Sequence, residues 1–449
     1  MNFRAEDFIE GRRKGIVTVV GGGYVGLPLA ITVAAHYSNV IVFDIDQEKV
    51  DNINRGEPYI GDVSPRELQE AVNSERLSAT TDPELAFSSS DVVLVCVPTP
   101  LQGTREPDLS FVTKALDSMI PYLATPCLVC LESTVYPGFT RDVIAKRLSV
   151  VGTIGKDVFV SFSPERVDPA NRVHRVDNTP KVVGGVTPRC TELAASFYQK
   201  VIKAPIIAVE DSTTAEMVKL LENTFRSVNI ALANEFAQAC RVVGVDVWRV
   251  IEAARTKPMG FMPFWPGPGV GGHCIAVDPV YLSWKVRDSG LPLTLIETAE
   301  EVNVKMPHYI VRRATGILND MQLAVNGSKI LVVGVAYKRD VVDTRESPAL
   351  EIIKELQQLQ AKVSYHDPLV PEVMGMKSRE FEVHAPICVM AGKPKEGSPR
   401  ERFDLSIIAT DHDTIEYQRI VECSDRVLDT RDAMRRRGVN MKGSRLELL

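Results

Sequence analysis

The chain has 449 residues, too many for one ordinary hydrophobic core, so its length predicts two or three domains. Hydrophobic residues make up 45% and charged residues 24% of the chain, as in an ordinary globular protein. The net charge of −6 and a pI near 5.8 argue against nucleic acid or an anionic membrane surface as the main partner.

The sequence contains no candidate membrane span, because no apolar run approaches the roughly 20 residues that a bilayer requires. Residues 1–14 are polar and mixed in charge, so we expect an extra helix or a frayed tail there rather than a secretory signal. The eight cysteines lack the spacing of a disulfide framework, which favours a reducing cytoplasm. Cys127 and Cys130 form a C-x-x-C pattern within a predicted strand, where their thiols would point to opposite faces. Structural cysteines are therefore favoured over a redox or zinc pair.

Alternating strand-like and helix-like segments fill roughly the first 200 residues and predict a parallel sheet with crossover helices. Strands are expected at residues 15–20, 39–43, 91–97, 127–132 and 158–162. From residue 211 the pattern changes to a polar helix start, followed by apolar residues at three-to-four spacing as far as Val243. This segment has no proline or glycine and predicts one helix of roughly 30 residues, well above the usual length.

A loop rich in proline and glycine at residues 257–272 comes next, followed by a helical stretch around residues 278–289. Further strands are expected at residues 329–333, 361–365 and 405–409, and an exposed basic loop at residues 391–402. The whole pattern predicts an α/β protein with two Rossmann-like lobes joined by a central helical domain that contains one long helix. The predicted domains span residues 1–208, 209–310 and 311–449.

Gly21, Gly23 and Gly26 form a G-x-G-x-x-G motif directly after the first predicted strand and at the start of a helix. Such glycines allow a tight turn, so that a pyrophosphate can sit on the helix N-terminus. Asp44 ends the next strand, where a carboxylate accepts ribose hydroxyls and repels a 2′-phosphate. The combination predicts an NAD site, the alternative being a structural glycine turn in a domain that binds another ligand.

The second lobe lacks this glycine spacing, although Asp367 ends its second strand at the corresponding place. Lys338 and Arg345 supply positive charge there, so the lobe suits a different nucleotide unless it is purely structural. Residues 267–274 are rich in glycine, which suggests a backbone shaped to wrap a ligand. Cys274 ends this stretch and could act as a nucleophile with a lowered pKa, although a lone cysteine is more often inert and buried.

A series of short motifs follows in order along the chain: GGGYVGL at residues 21–27, Val97-Pro-Thr-Pro100, Glu132-Ser-Thr134, Ser163-Pro-Glu-Arg166, Lys219-x-x-x-Asn223, Gly271-Gly-His-Cys274-x-x-x-Asp278, Tyr337-Lys338, Asp343-x-Arg345-Glu-Ser-Pro348 and Asp429-Thr-Arg431. With these motifs the chain resembles, from about residue 15 to residue 435, the UDP-sugar 6-dehydrogenases, which act on UDP-glucose, UDP-N-acetylglucosamine or UDP-N-acetylmannosamine. The resemblance implies that residues 1–208 bind NAD, residues 209–310 form a dimerisation domain with the cysteine loop, and residues 311–449 bind the UDP-sugar.

The resemblance also implies the residues that contact each ligand. Cofactor contacts are expected from Gly21, Gly23, Tyr24, Val25, Gly26, Asp44, Lys49, Pro98, Thr99, Thr134 and Arg345. Substrate contacts are expected from Glu165, Arg166, Val167, Lys219, Asn223, Phe264, Gly267, Gly271, His273 and Lys338. No metal, nucleic acid or membrane partner is implied, and such enzymes are generally cytoplasmic homodimers or larger homo-oligomers.

Catalytic roles follow from the same resemblance. Cys274 would attack the aldehyde formed by the first hydride transfer, and the thiohemiacetal would lose a second hydride to become a thioester that water hydrolyses. Lys219 and Asn223, one helical turn apart on one face, would stabilise the oxyanion at sugar C6.

Three further residues would assist the hydrolysis. Asp278 and Thr134 would position the water or assist proton transfer, and Glu165 would take part in thioester hydrolysis. The alternative for each is a structural role: an N-cap or salt bridge for Glu165, and the N-cap of its own helix for Asp278. For Lys219 the alternative is a solvated helix face.

The choice of sugar depends on details around the cysteine. UDP-glucose enzymes usually have Pro-Lys where this chain has Ala276-Val277, and the form of residues 267–274 resembles the acetamido-sugar branch. Residues 261–266 and 281–284 resemble the UDP-N-acetylglucosamine or galactosamine type, whereas residues 275–279 resemble the N-acetylmannosamine type. We therefore expect a UDP-N-acetylhexosamine as the substrate, UDP-N-acetylglucosamine before the others, and its uronate as a product for surface polysaccharide. UDP-N-acetylmannosamine and UDP-glucose are the alternative substrates. A β-hydroxyacid dehydrogenase and a non-catalytic nucleotide-sugar sensor are the rival hypotheses.

Overall fold

The structure is a computed structural model that describes residues 15–61, 63–103, 105–166, 173–272, 275–287, 289–373, 402–439 and 445–449. Several predicted features lie outside the described residues. They are the tail at residues 1–14, nearly all of the basic loop at residues 391–402, and the site residues Val167, His273 and Cys274.

Strands and helices alternate along most of the described chain. The strands are β1 (Ile16–Val20), β2 (Asn39–Phe43), β3 (Leu77–Thr80), β4 (Val92–Val95), β5 (Cys127–Leu131), β6 (Val158–Phe162), β7 (Lys181–Gly185), β8 (Ile206–Ala208), β9 (Lys329–Val333), β10 (Lys362–His366), β11 (Phe403–Ile408), β12 (Ser424–Asp429) and β13 (Leu446–Leu448). The helices are α1 (Gly26–Ala34), α2 (Gln47–Asn54), α3 (Pro65–Asn73), α4 (Pro83–Phe87), α5 (Ser110–Met119), a π-helical turn (Thr140–Ala145) continued by α6 (Lys146–Leu148), α7 (Pro188–Val201), α8 (Ser212–Val242), α9 (Val247–Ala254), α10 (Asp278–Arg287), α11 (Thr294–Asp320), α12 (Pro348–Gln358), α13 (Tyr417–Cys423) and α14 (Ala433–Arg436).

The first compact unit comprises Met1–Glu222 and Val280–Pro292 and holds an eight-stranded sheet in the order β3-β2-β1-β4-β5-β6-β7-β8. All its strand pairs are parallel except β6 with β7. Cys127 and Cys130 both lie on β5 and are fully buried, but they belong to different hydrophobic clusters. The two thiols therefore point to opposite faces of the sheet, as predicted.

The second compact unit comprises Asn223–Pro279 and Leu293–Leu449 and holds a fully parallel five-stranded sheet in the order β10-β9-β11-β12-β13. In each unit the strand order reverses beside the first strand of the sheet, at β1–β4 and at β9–β11. Ligands of open parallel sheets bind outside the carboxyl ends of the strands at such a reversal. The carboxyl ends of the strands at these two reversals are therefore the expected ligand positions in the two units.

The predicted fold class is confirmed, since both parallel sheets, the intervening helices and the long helix Ser212–Val242 are present. The helix Thr294–Asp320 was not predicted, and it contains the buried Pro307 in its interior, a position that proline normally disfavours. The strands β3, β7, β8, β12 and β13 were also missed. Within the described part of the chain, no helix is long and apolar enough to cross a bilayer.

Candidate active site

The turn after β1 has the geometry of a pyrophosphate-binding turn. A side chain at Gly26 would put its Cβ 1.8 Å from the Gly21 carbonyl oxygen, so only glycine fits where the turn meets the helix. A Cβ on Gly23, in contrast, would have no atom within 4 Å, so this backbone is open to a ligand. The helix α1 begins without a side-chain cap at Val25 and without an acidic residue in its first turn. Its N-terminal amides are therefore suited to an anion, and the residues fit NAD.

Asp44, the predicted ribose-binding residue, is hydrogen-bonded to this turn. Its Oδ2 accepts the Gly22 amide at 2.7 Å, and its Oδ1 accepts the Asp46 amide at 3.0 Å. The Lys49 ammonium lies 3.7 Å from the same carboxylate. The Tyr59 hydroxyl donates to the Gly22 carbonyl at 2.5 Å, and burial together with Asp44 raises the pKa of Tyr59. Tyr59 was not predicted from the sequence, because no local pattern relates it to the glycine motif.

The loops after β4 and β5 meet beside this turn and carry other predicted cofactor residues. Ser133 donates its hydroxyl to the Val97 carbonyl at 2.7 Å, which brings Thr134 and the exposed Pro98 to the same strand ends. Thr99 is buried, and its carbonyl accepts the Tyr281 hydroxyl at 2.9 Å. The predicted cofactor residues of the first unit thus surround one strand-order reversal.

Lys219 and Glu165 are joined directly in the first unit. The Lys219 ammonium donates to the Glu165 carbonyl at 2.5 Å, and Lys219 is only 8% exposed. The Arg166 amide donates to Glu165 Oε1 at 2.7 Å, while the Arg166 guanidinium is held by Glu222 and by the Pro180 carbonyl. The alternative role of Lys219 on a solvated helix face is therefore wrong.

A buried ion network that the sequence analysis missed lies behind Glu165. Lys181 donates to Glu132 Oε2 at 2.7 Å and lies 3.7 Å from Glu165 Oε2. The Tyr198 hydroxyl donates to the other oxygen of Glu132. Burial alone would lower the pKa of Lys181, but Glu132 and Glu165 raise it above its ordinary value, so the ammonium is charged. A lysine opening a buried strand was the available sequence signal.

In the second unit, Asn223 and Asp278 are hydrogen-bonded partners. The Asn223 amide nitrogen donates to Asp278 Oδ2, and its oxygen accepts from Arg226. Both Asn223 and Asp278 are buried. An amide nitrogen carries two hydrogens, so Asn223 can donate one to Asp278 and the other to a ligand oxygen.

The glycine-rich loop packs tightly against protein in the second unit. A Cβ on Gly272, whose φ is +80°, would lie 2.6 Å from the Tyr337 ring, and the Gly272 amide donates to the Arg345 carbonyl at 3.0 Å. The Gly267 amide donates to Asn234 Oδ1 at 2.9 Å. Glycine is thus needed at Gly272 for contact with the second lobe, and not only for the predicted ligand contact.

Other predicted substrate residues also lie in this unit. A Cβ on Gly271 would approach the Tyr337 side chain to 2.8 Å, and Phe264 packs edge-on against Phe225 with ring centroids 5.7 Å apart. Lys338 is partly exposed on the loop after β9. Arg345, a predicted cofactor residue, pairs with Asp343 through two of its nitrogens.

The carboxylate of Asp367 has different hydrogen-bond partners from the carboxylate of Asp44. Its Oδ2 accepts the Val335 and Ala336 amides at 2.7 and 3.1 Å and pairs with His412 Nε2 at 3.0 Å. Burial opposes ionisation, but His412 and the backbone donors lower the pKa of Asp367. Asp367 is thus held by the buried side chain of His412 as well as by the backbone amides of its own turn.

Sequence profiles of three domains of one family match the chain. The NAD binding domain of the UDP-glucose/GDP-mannose dehydrogenase family matches residues 16–202, the central domain residues 213–305, and the UDP binding domain residues 331–436.

Individual proteins of similar sequence and fold carry related names. The chain is 40% identical over 353 residues to an NDP-N-acetyl-D-galactosaminuronic acid dehydrogenase of Ralstonia nicotianae, covering 77% of this chain and 80% of that protein. It is 35% identical over 398 residues to a UDP-N-acetyl-D-glucosamine 6-dehydrogenase of Pseudomonas aeruginosa, covering 88% and 90%. The solved structure of a UDP-D-ManNAc dehydrogenase of Pyrococcus horikoshii matches with a TM-score of 0.84 and 32% identity, covering 96% of this chain and 98% of that one.

Proposed function

The chain belongs to the UDP-glucose/GDP-mannose dehydrogenase family, and we propose that it oxidises the C6 hydroxymethyl group of UDP-N-acetylglucosamine to a carboxylate. The observation that carries this proposal is the buried Lys219 ammonium, held by the Glu165 carbonyl in the unit that contains the NAD turn. A fixed cation of this kind suits an alkoxide developing on the substrate. NAD, when bound, supplies the acceptor for the hydride removed in each of two oxidations.

The mechanism assigns the chain's own groups to the carbon that reacts. Lys219 and the second amide hydrogen of Asn223 stabilise the oxyanion at C6. Loss of the first hydride, with the C6 hydroxyl proton passing to water, gives the aldehyde. The Cys274 thiolate then forms a C–S bond with the aldehyde carbon, whose oxygen takes up a proton to give the thiohemiacetal. Loss of the second hydride, again with the hydroxyl proton passing to water, leaves a thioester.

Hydrolysis then releases the acid. Glu165 takes a proton from water as the water oxygen bonds to the carbonyl carbon, the C–S bond breaks, and the proton passes to the leaving sulfur. Asp278 and Thr134 orient the water. Each sugar thus gives up two hydrides, and the final step makes the reaction effectively irreversible.

Three acetamido sugars compete as the substrate. The motifs at residues 261–266 and 281–284 favour N-acetylglucosamine, whereas the named relatives include enzymes of the galactosaminuronate, glucosamine and mannosamine types. UDP-N-acetylmannosamine and UDP-glucose are the alternative substrates. We further propose that the enzyme is cytoplasmic, where its six described cysteines stay as free thiols, and that its product feeds surface polysaccharide.

An absorbance assay with NAD and a panel of UDP-sugars tests the proposal. We expect two NADH for each UDP-N-acetylglucosamine consumed, and a lower kcat/KM with the N-acetylgalactosamine, N-acetylmannosamine and glucose derivatives. A higher kcat/KM with another sugar would correct the substrate. No NADH with any sugar, together with tight binding of one of them, would favour a non-catalytic sensor.

The cofactor turn predicts a preference for NAD over NADP. The 2′-phosphate of NADP would meet the Asp44 carboxylate, so kcat/KM should be at least about 100-fold lower, equivalent to about 2.8 kcal/mol. Asp44→Asn should narrow this difference, because it removes the charge but keeps an acceptor for the Gly22 amide. Asp46→Asn is the matched control, since Asp46 caps the helix α2 and should leave the preference intact. Equal kcat/KM for the two cofactors in the unmodified enzyme would contradict the prediction.

We propose that the long helix α8 pairs two copies of the chain. In the second unit this helix presents Phe225, Leu232 and Phe236 to solvent, each about half exposed and spaced to lie on one face. Exposed large apolar side chains in such a row are typical of a surface that a partner covers. A two-fold pair of helices would bury the row against its own copy.

Phe236→Glu is expected to dissociate the dimer, because it would bury two unpaired carboxylates in the interface. Sedimentation velocity at micromolar concentration should show a dimer for the unmodified chain and a monomer for the variant. Leu85→Glu, at another exposed apolar position of the first unit, is the control and should remain dimeric. A stable, active monomer of the unmodified chain would overturn the proposal.

A further inference from the structure

Lys181 stands between two carboxylates that would otherwise repel each other. It opens β7, is 5% exposed, and its ammonium lies 2.7 Å from Glu132 Oε2 and 3.7 Å from Glu165 Oε2. Glu132 is completely buried at the end of β5. Two carboxylates at such a place stay ionised together only if a cation lies between them.

The neighbouring groups hold this arrangement in one geometry. Tyr198 donates to Glu132 from the helix α7, and the Lys181 ammonium lies 4.9 Å from the centre of the Tyr198 ring. On the other side, the Arg166 amide donates to Glu165 Oε1, the oxygen that is not nearest Lys181. Each Glu165 oxygen therefore has a defined neighbour, and the position of the carboxylate depends on Lys181.

We propose that Lys181 is a positioning residue for thioester hydrolysis, acting through Glu165, with Glu132 as the buried counter-charge that fixes the ammonium. This inference rests on the proposed function, in which Glu165 takes the proton from the attacking water. Lys181 contacts neither the sugar nor the reacting sulfur in this account. Its loss should therefore slow the hydrolysis and spare both hydride transfers.

The test uses Lys181→Met/Glu132→Gln. The single Lys181→Met change would leave Glu132 buried without its cation and could unfold the chain, whereas the double change removes both charges and keeps the acceptor for Tyr198. Rapid mixing of the full-length enzyme with NAD and UDP-N-acetylglucosamine should give a burst of two NADH per active site at near the normal rate. The steady-state kcat should fall by about tenfold to 100-fold. Intact-protein mass spectrometry should show the acyl-enzyme accumulating.

Two comparisons separate positioning from a general structural effect. If Lys181 acts through Glu165, then Glu165→Gln alone should slow hydrolysis, and adding the double change should slow it no further. Lys203→Met is the matched control, because it breaks a surface ion pair with Asp177 in the same unit and should leave burst and kcat unchanged.

The outcomes are distinct. An unchanged kcat in Lys181→Met/Glu132→Gln, or a burst slowed as much as the steady state, would overturn the role of Lys181. Restoration of normal hydrolysis by the double change after a defect in Lys181→Met would mean that Lys181 merely neutralises Glu132, which also overturns it. Absence of NADH from the unmodified enzyme with every sugar would instead overturn the proposed function, and this inference with it.

Discussion

Replacing Cys274 by alanine is expected to abolish formation of the sugar acid, lowering its rate by at least about 10³-fold. Alanine offers no atom to which the aldehyde carbon can bond, so the thioester cannot form. NADH released per sugar should fall from two to at most one, because only the first oxidation remains possible. Product analysis by mass spectrometry together with NADH absorbance measures both quantities.

Cys274→Ser distinguishes covalent chemistry from packing. An oxygen ester is hydrolysed less readily than a thioester, so the sugar should remain attached to the protein and be visible by intact-protein mass spectrometry. Cys423→Ala is the control, because Cys423 is buried in the core of the second lobe, where burial raises the pKa of its thiol. This Cys423→Ala change should lower the free energy of unfolding but leave the release of two NADH per sugar unchanged. A folded Cys274→Ala enzyme that makes acid at a near-normal rate would refute the thioester mechanism.

Replacing Lys219 by methionine is expected to lower kcat by about 10² to 10³-fold, or roughly 2.7–4 kcal/mol, as for loss of one oxyanion donor. Methionine keeps much of the buried side-chain volume but removes the cation at the Glu165 carbonyl. The KM for the UDP-sugar should change little, because the interaction strengthens as the negative charge develops. Steady-state kinetics across the substrate range measure the two constants separately.

A kinetic isotope effect tests whether the lower kcat of Lys219→Met comes from a slower hydride transfer. With the first hydride transfer slowed, a substrate carrying deuterium at C6 should show a primary isotope effect on kcat in Lys219→Met. Lys200→Met is the matched control, since Lys200 lies over the Tyr37 ring of the same unit, and its loss should affect neither constant. A kcat within about threefold of normal, without an isotope effect, would exclude Lys219 from the oxyanion site.

Local sequence patterns were sufficient for the cofactor turn and the long helix. The glycine spacing of Gly21, Gly23 and Gly26 and the acid at Asp44 predicted a geometry that the first unit has. The uninterrupted apolar spacing from residue 212 to residue 242 predicted the long helix. These features depend on residues close in the chain, because backbone conformation and periodicity are local properties.

The glycine-rich loop has contacts that its local sequence did not predict. Its composition predicted a backbone suited to a ligand, but Gly272 also lies against Tyr337, far along the chain. The same limit applies to Asp367, which matches Asp44 in position yet is engaged by His412 and its own turn. A matching residue type after a strand does not decide whether the side chain faces a ligand or the protein.

The sequence by itself determined the family, the two lobes and the long helix, and it provided the proposal for the groups that carry the chemistry. Only the tertiary structure decided how charges pair behind Glu165. Lys181 and Glu132 are 49 residues apart, and Tyr198 and Glu132 are 66 residues apart, so their contacts arise only when β5, β7 and α7 pack together. A buried charge is stable only beside its partner, and strand order, which periodicity does not encode, determines which partner that is.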